Sequence, residues 1–248
     1  METLIILHGW QSSKEKWQQV KEKIEEKGIR VLCPDIPGFK PETELKEPWT
    51  LENYIDWFLD YVKQSELEDP EITDGFYLLG HSFGGRMTIK IAANSLFKLK
   101  GIILVSAAGI KRSTKIHVEL MGLLAKIIKA FKLGDAPLTK NLYNFLRIFF
   151  YRYIIRKTDY LNAKGNLNQT IKNILAEDLK DRLGHIKVPT KIIWGNKDKY
   201  TPVSDAYFIK KNIKNSEIEI FKNINHTPYI ECPEKLAESI VKFVKKEK

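Results

Sequence analysis

Ser82 lies in the run Gly80-His81-Ser82-Phe83-Gly84-Gly85, directly after an apolar stretch and directly before a helix-forming one. A serine in a sharp strand-to-helix turn needs small residues two places before and two places after it, because neighbouring backbone must approach closely there. Such a turn holds the hydroxyl at the carboxyl end of a strand, where open α/β sheets bind ligands. The unpaired N–H groups at the start of the following helix favour negative charge developing beside that hydroxyl. The alternative is a glycine-rich turn without chemistry, and the strand, turn and helix order argues against it. The chemistry on offer is nucleophilic attack by a serine.

A serine hydroxyl is a weak nucleophile near neutrality unless a base takes its proton, so a histidine is required. Of the five present, His8 and His81 belong to a loop and to the serine turn itself, while His117 and His185 lie within or at the border of a helical stretch. His226 remains, in Asn225-His226-Thr227-Pro228, just after the last predicted strand. The carboxylate that orients such a base is expected between the two in sequence and also at a strand end, where it fixes the imidazole tautomer and stabilises the imidazolium. Asp198 meets both conditions, following Thr190–Trp194 through Gly195-Asn196-Lys197; Asp205 falls on the next helix and is the weaker candidate. Taken singly, His226 is an ordinary loop histidine and Asp198 an ordinary turn aspartate; their order relative to Ser82 is what distinguishes them. A tetrahedral oxyanion needs N–H donors, each typically worth about 2.7–4 kcal/mol. One is expected at the backbone N–H of Phe83, and the other from the loop His8-Gly9-Trp10-Gln11, at the N–H of Trp10. This chemistry calls for neither a metal nor an organic cofactor.

The elements that must position these groups follow an alternating pattern. Short apolar runs at Thr3–His8, Arg30–Pro34, Phe76–Gly80, Gly101–Ser106, Thr190–Trp194 and Glu217–Phe221 predict strands. Helical periodicity falls between them, at Lys14–Lys27, Leu51–Ser65, Gly84–Leu96, Val203–Asn212 and Pro233–Lys246. Strands alternating with helices predict an α/β fold, a doubly wound and mainly parallel sheet of about six strands covered on both faces. Residues 110–187 break the rhythm: helical segments at Leu120–Phe131, Asn141–Ile155 and Thr170–Leu183 replace strands there, which predicts a helical cap inserted into a core of residues 1–109 and 188–248.

These residues resemble the α/β-hydrolase superfamily, in its capped lineage of esterases, thioesterases and carbon–carbon bond hydrolases. The likeness covers nearly the whole chain. His8-Gly9-Trp10 is similar to the family's oxyanion loop, Pro34 through Phe39 to its loop after the next strand, and Gly80 through Gly85 to its nucleophile elbow. Trp194 through Asp198 with Thr201-Pro202 is similar to the acid segment, and His226 through Pro228, Glu231 and Pro233 to the histidine segment. The resemblance implies cleavage of a small-molecule ester or related acyl substrate through an acyl-enzyme on Ser82, with thioester or carbon–carbon cleavage as rivals. A ligand-binding or membrane-surface protein on the same fold, without turnover, is the alternative of another class. A serine at position 82 in place of aspartate tells against dehalogenase and epoxide-hydrolase chemistry. By this resemblance the sequence begins at the family's third strand, so the usual amino-terminal antiparallel hairpin is expected to be absent, and Asn225 stands where the family commonly has glycine.

Composition bounds the rest. The 248 residues suffice for one large α/β domain, and apolar runs such as Leu4–Leu7 fall far short of the roughly 20 residues that cross a bilayer. The start, Met1-Glu2-Thr3, lacks a basic leader region, so a cytoplasmic location is expected. Cys33 and Cys232 match no metal spacing and are expected to be buried free thiols. Residues 110–187 hold 16 of the 41 Lys and Arg but 6 of the 31 Asp and Glu, so the whole net charge of +10 falls there. With Phe145, Phe149, Phe150, Tyr151 and Tyr153 interleaved among Arg147, Arg152, Arg156 and Lys157, that stretch is expected either to meet an anionic substrate or acidic lipid headgroup or to be a solvated lysine-rich exterior. No nucleic-acid recognition motif accompanies the charge.

Overall fold

The computed structural model describes residues 1–68, 70–111 and 165–246. Six parallel strands form one sheet: β1 (Glu2–Leu7), β2 (Ile29–Leu32), β3 (Phe76–His81), β4 (Leu99–Val105), β5 (Thr190–Gly195) and β6 (Ser216–Phe221), in the spatial order β2-β1-β3-β4-β5-β6. The six strands predicted from sequence are all present. The order reverses at β1, since β2 lies to one side of it and β3 to the other, and a crevice opens at the carboxyl ends where such a reversal occurs.

Alternation along each strand divides the core in two. Ile5, Leu7, Leu78, Ile102, Leu104, Ile192 and Trp194 pack on one face with α2 (Leu51–Glu68), α3 (Phe83–Ala93) and α5 (Val203–Asn212). Leu4, Ile6, Leu79, Ile103, Val105 and Ile193 point to the other face, toward α1 (Gln18–Glu25) and α7 (Pro233–Lys246). Apolar residues on both sides of every central strand produce the continuous runs seen in the sequence. The last helix, α7, starts with Pro233 and Glu234 in its first turn, buries Leu236, Ala237, Ile240, Phe243 and Val244 along one stripe, and ends on Lys245 and Lys246. A one-turn helix, α6 (Pro228–Glu231), precedes it.

Two segments differ from their predicted form. Lys14–Lys27 is a 3₁₀ turn over Lys14–Trp17 followed by α1, and Gly28, at a φ of 75°, ends the run. The stretch Thr170–Leu183 is not one helix: α4 (Asn166–Ala176) stops at the extended Glu177, and a 3₁₀ segment covers Lys180–His185. The Arg86 guanidinium, buried on α3, donates to the carbonyls of Ile174 and Glu177 at 2.8 and 2.7 Å and draws the end of α4 onto the core. Ile174, Leu179, Leu183 and Ile186 are buried in the same cluster as the sheet, and Met1–Ile110 with Lys164–Lys248 form one compact unit. The sequence reading assigned this stretch to the cap. The other expected cap features, the helices at Leu120–Phe131 and Asn141–Ile155, His117 and the basic aromatic run, lie outside the described residues.

Cys33 and Cys232 are free and half-buried rather than fully buried, and burial pushes the Cys33 thiol up to about 12. Among the described residues no helix is long and apolar enough to cross a membrane, and no cluster of His, Cys, Asp and Glu is placed to hold a metal ion.

Candidate active site

Ser82 follows β3 and caps α3 with φ 50° and ψ −110°, a conformation an L-residue adopts only when its surroundings enforce it. The enforcement comes from three glycines. A Cβ at Gly80 would meet Thr88 Oγ1 at 2.3 Å and the Gly84 carbonyl at 2.4 Å; one at Gly84 would meet the Leu7 carbonyl oxygen at 2.0 Å; one at Gly85 would meet Ala107 at 2.4 Å. The turn can therefore press against the ends of β1 and β4 only with these residues bare. Ser82 N–H donates to the Val105 carbonyl at 3.2 Å and Gly84 N–H to the His8 carbonyl at 3.1 Å, which anchors both sides of the bend.

Asp198 lies in the turn after β5, with its side chain wholly inaccessible. Its Oδ1 accepts the N–H groups of Tyr200 and Thr201 at 2.8 and 2.9 Å. Its Oδ2 is 2.8 Å from His226 Nδ1 and 2.9 Å from the Thr201 hydroxyl. Burial alone would raise the carboxyl, but the bonds from His226 and Thr201 outweigh it and hold Asp198 below the usual carboxylate range. An ionised Oδ2 only accepts, so His226 carries its proton on Nδ1 and presents Nε2 as a lone pair. Neither Nε2 nor Ser82 Oγ makes a hydrogen bond among the described residues.

The loop carrying His226 is held from several directions. The His226 carbonyl is 2.8 Å from Nε2 of His81, the residue before Ser82. Its imidazole lies between the rings of His81 and Tyr200, at centroid distances of 4.9 and 5.1 Å. The Glu231 carboxylate accepts the N–H groups of Asn225 and Thr227, the Asn225 side-chain amide and the Thr227 hydroxyl, so it spans the histidine from both sides. Those bonds hold Glu231 below its ordinary value against the burial that would raise it. Asn225 needs no left-handed conformation; Asn223 makes that turn at φ 62°, and bare Gly195 admits the loop, its Cβ position lying 2.2 Å from the Asn225 carbonyl oxygen.

Trp10 and Phe83 bracket the serine from the ends of β1 and β3. The Phe83 N–H, at the first position of α3, has no intrahelical acceptor, and neither it nor the Trp10 N–H has an acceptor among the described residues. His8 fixes the loop that bears Trp10: its Nε2 accepts the Ile36 N–H at 3.0 Å, so Nδ1 holds the proton and lies 3.0 Å from the Gly9 carbonyl. Burial lowers His8 from its ordinary value and keeps it neutral for that role. Trp10, Phe39 and Phe83 meet edge to face, with Trp10 4.8 Å from Phe39 and 5.5 Å from Phe83, and make an aromatic wall beside the turn.

The structure thus gathers Ser82, His226, Asp198, Trp10 and Phe83 at the carboxyl edge of one sheet. Asp205 stays on α5, and the carboxylate on the imidazole is that of Asp198. Sequence reasoning passed over His8 and His81, whose bonds go to backbone, and gave no separate role to Thr201, Tyr200 or Glu231. Adjacency to Gly9 and to Ser82 was the one local signal for the two histidines.

A sheet of this order, with a strained serine at the end of β3 and the acid and histidine after β5 and β6, defines the α/β-hydrolase class, and the family described as alpha/beta hydrolase fold matches residues 2–233. The chain belongs to that family. Among curated proteins it is 26% identical over 259 residues to monoacylglycerol lipase ABHD6 of Bos taurus, covering 98% of this chain and 75% of that protein. It is 28% identical over 254 residues to the AB hydrolase superfamily protein YisY of Bacillus subtilis, covering 97% and 90%. Among solved structures, a lipase-esterase related protein from Clostridium acetobutylicum superposes with a TM-score of 0.69 at 21% identity, over 98% of this chain and 94% of that one.

Proposed function

We propose that the protein hydrolyses carboxylic esters through an acyl-enzyme formed on Ser82. The observation that carries this reading is the bond of 2.8 Å between Asp198 Oδ2 and His226 Nδ1, which leaves Nε2 as the basic nitrogen at the sheet edge that bears Ser82. In the reaction so proposed, Ser82 Oγ attacks the ester carbonyl carbon while His226 Nε2 takes the hydroxyl proton. The Asp198 carboxylate stabilises the imidazolium, and the N–H groups of Trp10 and Phe83 receive the oxyanion. His226 then returns the proton to the departing alcohol. A water, deprotonated by the same Nε2, attacks the acyl carbonyl and Ser82 leaves with the proton.

The relatives named as lipases support an ester bond as the target. The aromatic wall of Trp10, Phe39 and Phe83 suits an apolar acyl group over a charged one. The positive excess in residues 110–187 fits an anionic ester or an acidic lipid headgroup, and those residues are proposed as the part of the chain that meets it.

The test is a panel of p-nitrophenyl esters, monoacylglycerols, an acyl-CoA and a vinylogous diketone, run against wild type and Ser82→Ala. Ester turnover that Ser82→Ala abolishes supports the reading. Turnover that survives in Ser82→Ala refutes it, and turnover confined to the acyl-CoA or the diketone replaces the ester with that substrate.

A further inference from the structure

His81 takes no part in the reaction written above, yet it precedes Ser82 in the chain and touches both His226 and the Gly9 end of the loop that leads to Trp10. Its side chain is buried, and its Nε2 lies 2.8 Å from the backbone carbonyl oxygen of His226. A carbonyl oxygen only accepts, so this nitrogen carries the ring proton and donates it. On its other edge, a Cβ at Gly9 would come within 2.8 Å of Nδ1, which places the loop that leads to Trp10 against the ring. Trp17 and Tyr229 close around it edge to face, at 6.0 and 4.9 Å. Through the peptide bond His81 is also joined to Ser82 itself.

With the proton on Nε2, Nδ1 is a buried acceptor with no hydrogen-bond partner among the described residues. An orphan acceptor in the interior is a cost that native structures seldom carry without return. Phenylalanine would fill the same slot against Trp17 and Tyr229 without an orphan acceptor, but it would take away the donor that the His226 carbonyl has here. Histidine differs from phenylalanine here in one useful respect, the N–H aimed at His226. Its neighbours among titratable groups, His226, Asp198 and His8, leave it neutral, because burial dominates.

We propose that His81 is a positioning residue whose Nε2–H fixes the main chain of His226 against the Ser82 turn and the Gly9-Trp10 loop, so that nucleophile, base and oxyanion donors share one geometry. The inference rests on the serine-hydrolase reading. Small displacements of reacting groups are known to cost on the order of 100-fold in rate. The contact that prevents them here spans residues 145 apart in the chain.

The experiment compares wild type with His81→Phe and His81→Gln. For His81→Phe the expected result is a fall in kcat of about 10- to 100-fold, KM within about twofold, and an unfolding midpoint close to that of wild type, since the orphan acceptor and the donor to the His226 carbonyl go together. Glutamine can again present an amide N–H toward the His226 carbonyl, so His81→Gln recovers most of the lost rate. Wild-type kcat in a folded His81→Phe overturns the inference, and so does a His81→Gln as slow as His81→Phe. Should His81→Phe fail to fold, two-bond proton–nitrogen correlation spectra of the wild type decide: a neutral His81 protonated at Nε2 supports the role, and protonation at Nδ1 overturns it. A wild type that turns over no ester removes the serine reading instead, and is scored before the variants are compared.

Discussion

Replacing Asp198 by asparagine changes one atom and inverts the chemistry of the base. Oδ1 of Asp198 accepts two backbone N–H groups, from Tyr200 and Thr201, so asparagine must keep its carbonyl oxygen there; an NH₂ would face two donors. The amide nitrogen then takes the place of Oδ2, 2.8 Å from His226 Nδ1. Two donors cannot share that line, and the imidazole moves its proton to Nε2. In that tautomer His226 has nothing with which to accept the Ser82 proton. A fall in kcat of about 10⁴ follows, or about 5.5 kcal/mol in the barrier. The fold is retained, because the amide still fills the turn and satisfies both backbone donors; the loss of stability near neutrality is at most about 3 kcal/mol. That loss has a direction in pH. The folded-state value of Asp198 is depressed, so its stabilisation is fully present above the unfolded carboxylate range and disappears as pH falls through the lower folded value. The stability gap between wild type and Asp198→Asn therefore narrows in acid. The assay is steady-state ester turnover beside urea unfolding at several pH values. A folded Asp198→Asn that loses less than about tenfold in kcat refutes the assignment of Asp198.

Two further outcomes follow from packing and burial. Gly84→Ala puts a Cβ 2.0 Å from a backbone oxygen of Leu7 and is expected to lower stability by more than about 3 kcal/mol or to prevent folding, whereas Gly184→Ala, with nothing within 4 Å, stays within about 0.5 kcal/mol; urea midpoints compare them. Burial lowers His81 to about 3, so the unfolded chain binds a proton that the folded chain refuses between the ordinary histidine range and that value. Stability is expected to fall with pH below about 6.5, by about 2.7 kcal/mol over two units from this residue, and His81→Phe flattens that slope. An equally steep slope in the variant contradicts it.

Much of this arrangement is written locally. The strands read clearly because parallel strands covered on both faces are apolar without interruption, and α5 and α7 each begin at a proline and end in a lysine-bearing turn. Ser82, Asp198 and His226 could be named as candidates because the elbow glycines and the order of strand ends constrain them together. What stayed hidden depends on distant partners. Nothing in the periodicity of Thr170–Leu183 tells that Arg86, on a helix far earlier in the chain, withdraws two carbonyls from its middle and breaks the helix at Glu177. His81 was assigned only to the serine turn, because its partner is a backbone carbonyl, which has no sequence signature. Asn225 looked like a departure from a family glycine, yet Gly195 on the neighbouring strand end supplies the space and Asn223 the turn.

The most direct test is to react the folded protein with a fluorophosphonate, weigh it intact and map the adduct. The account predicts one phosphonyl group per chain, on Ser82, absent from Ser82→Ala and slowed by several orders of magnitude in His226→Ala. An unmodified Ser82 in folded protein, or labelling indifferent to His226, contradicts it.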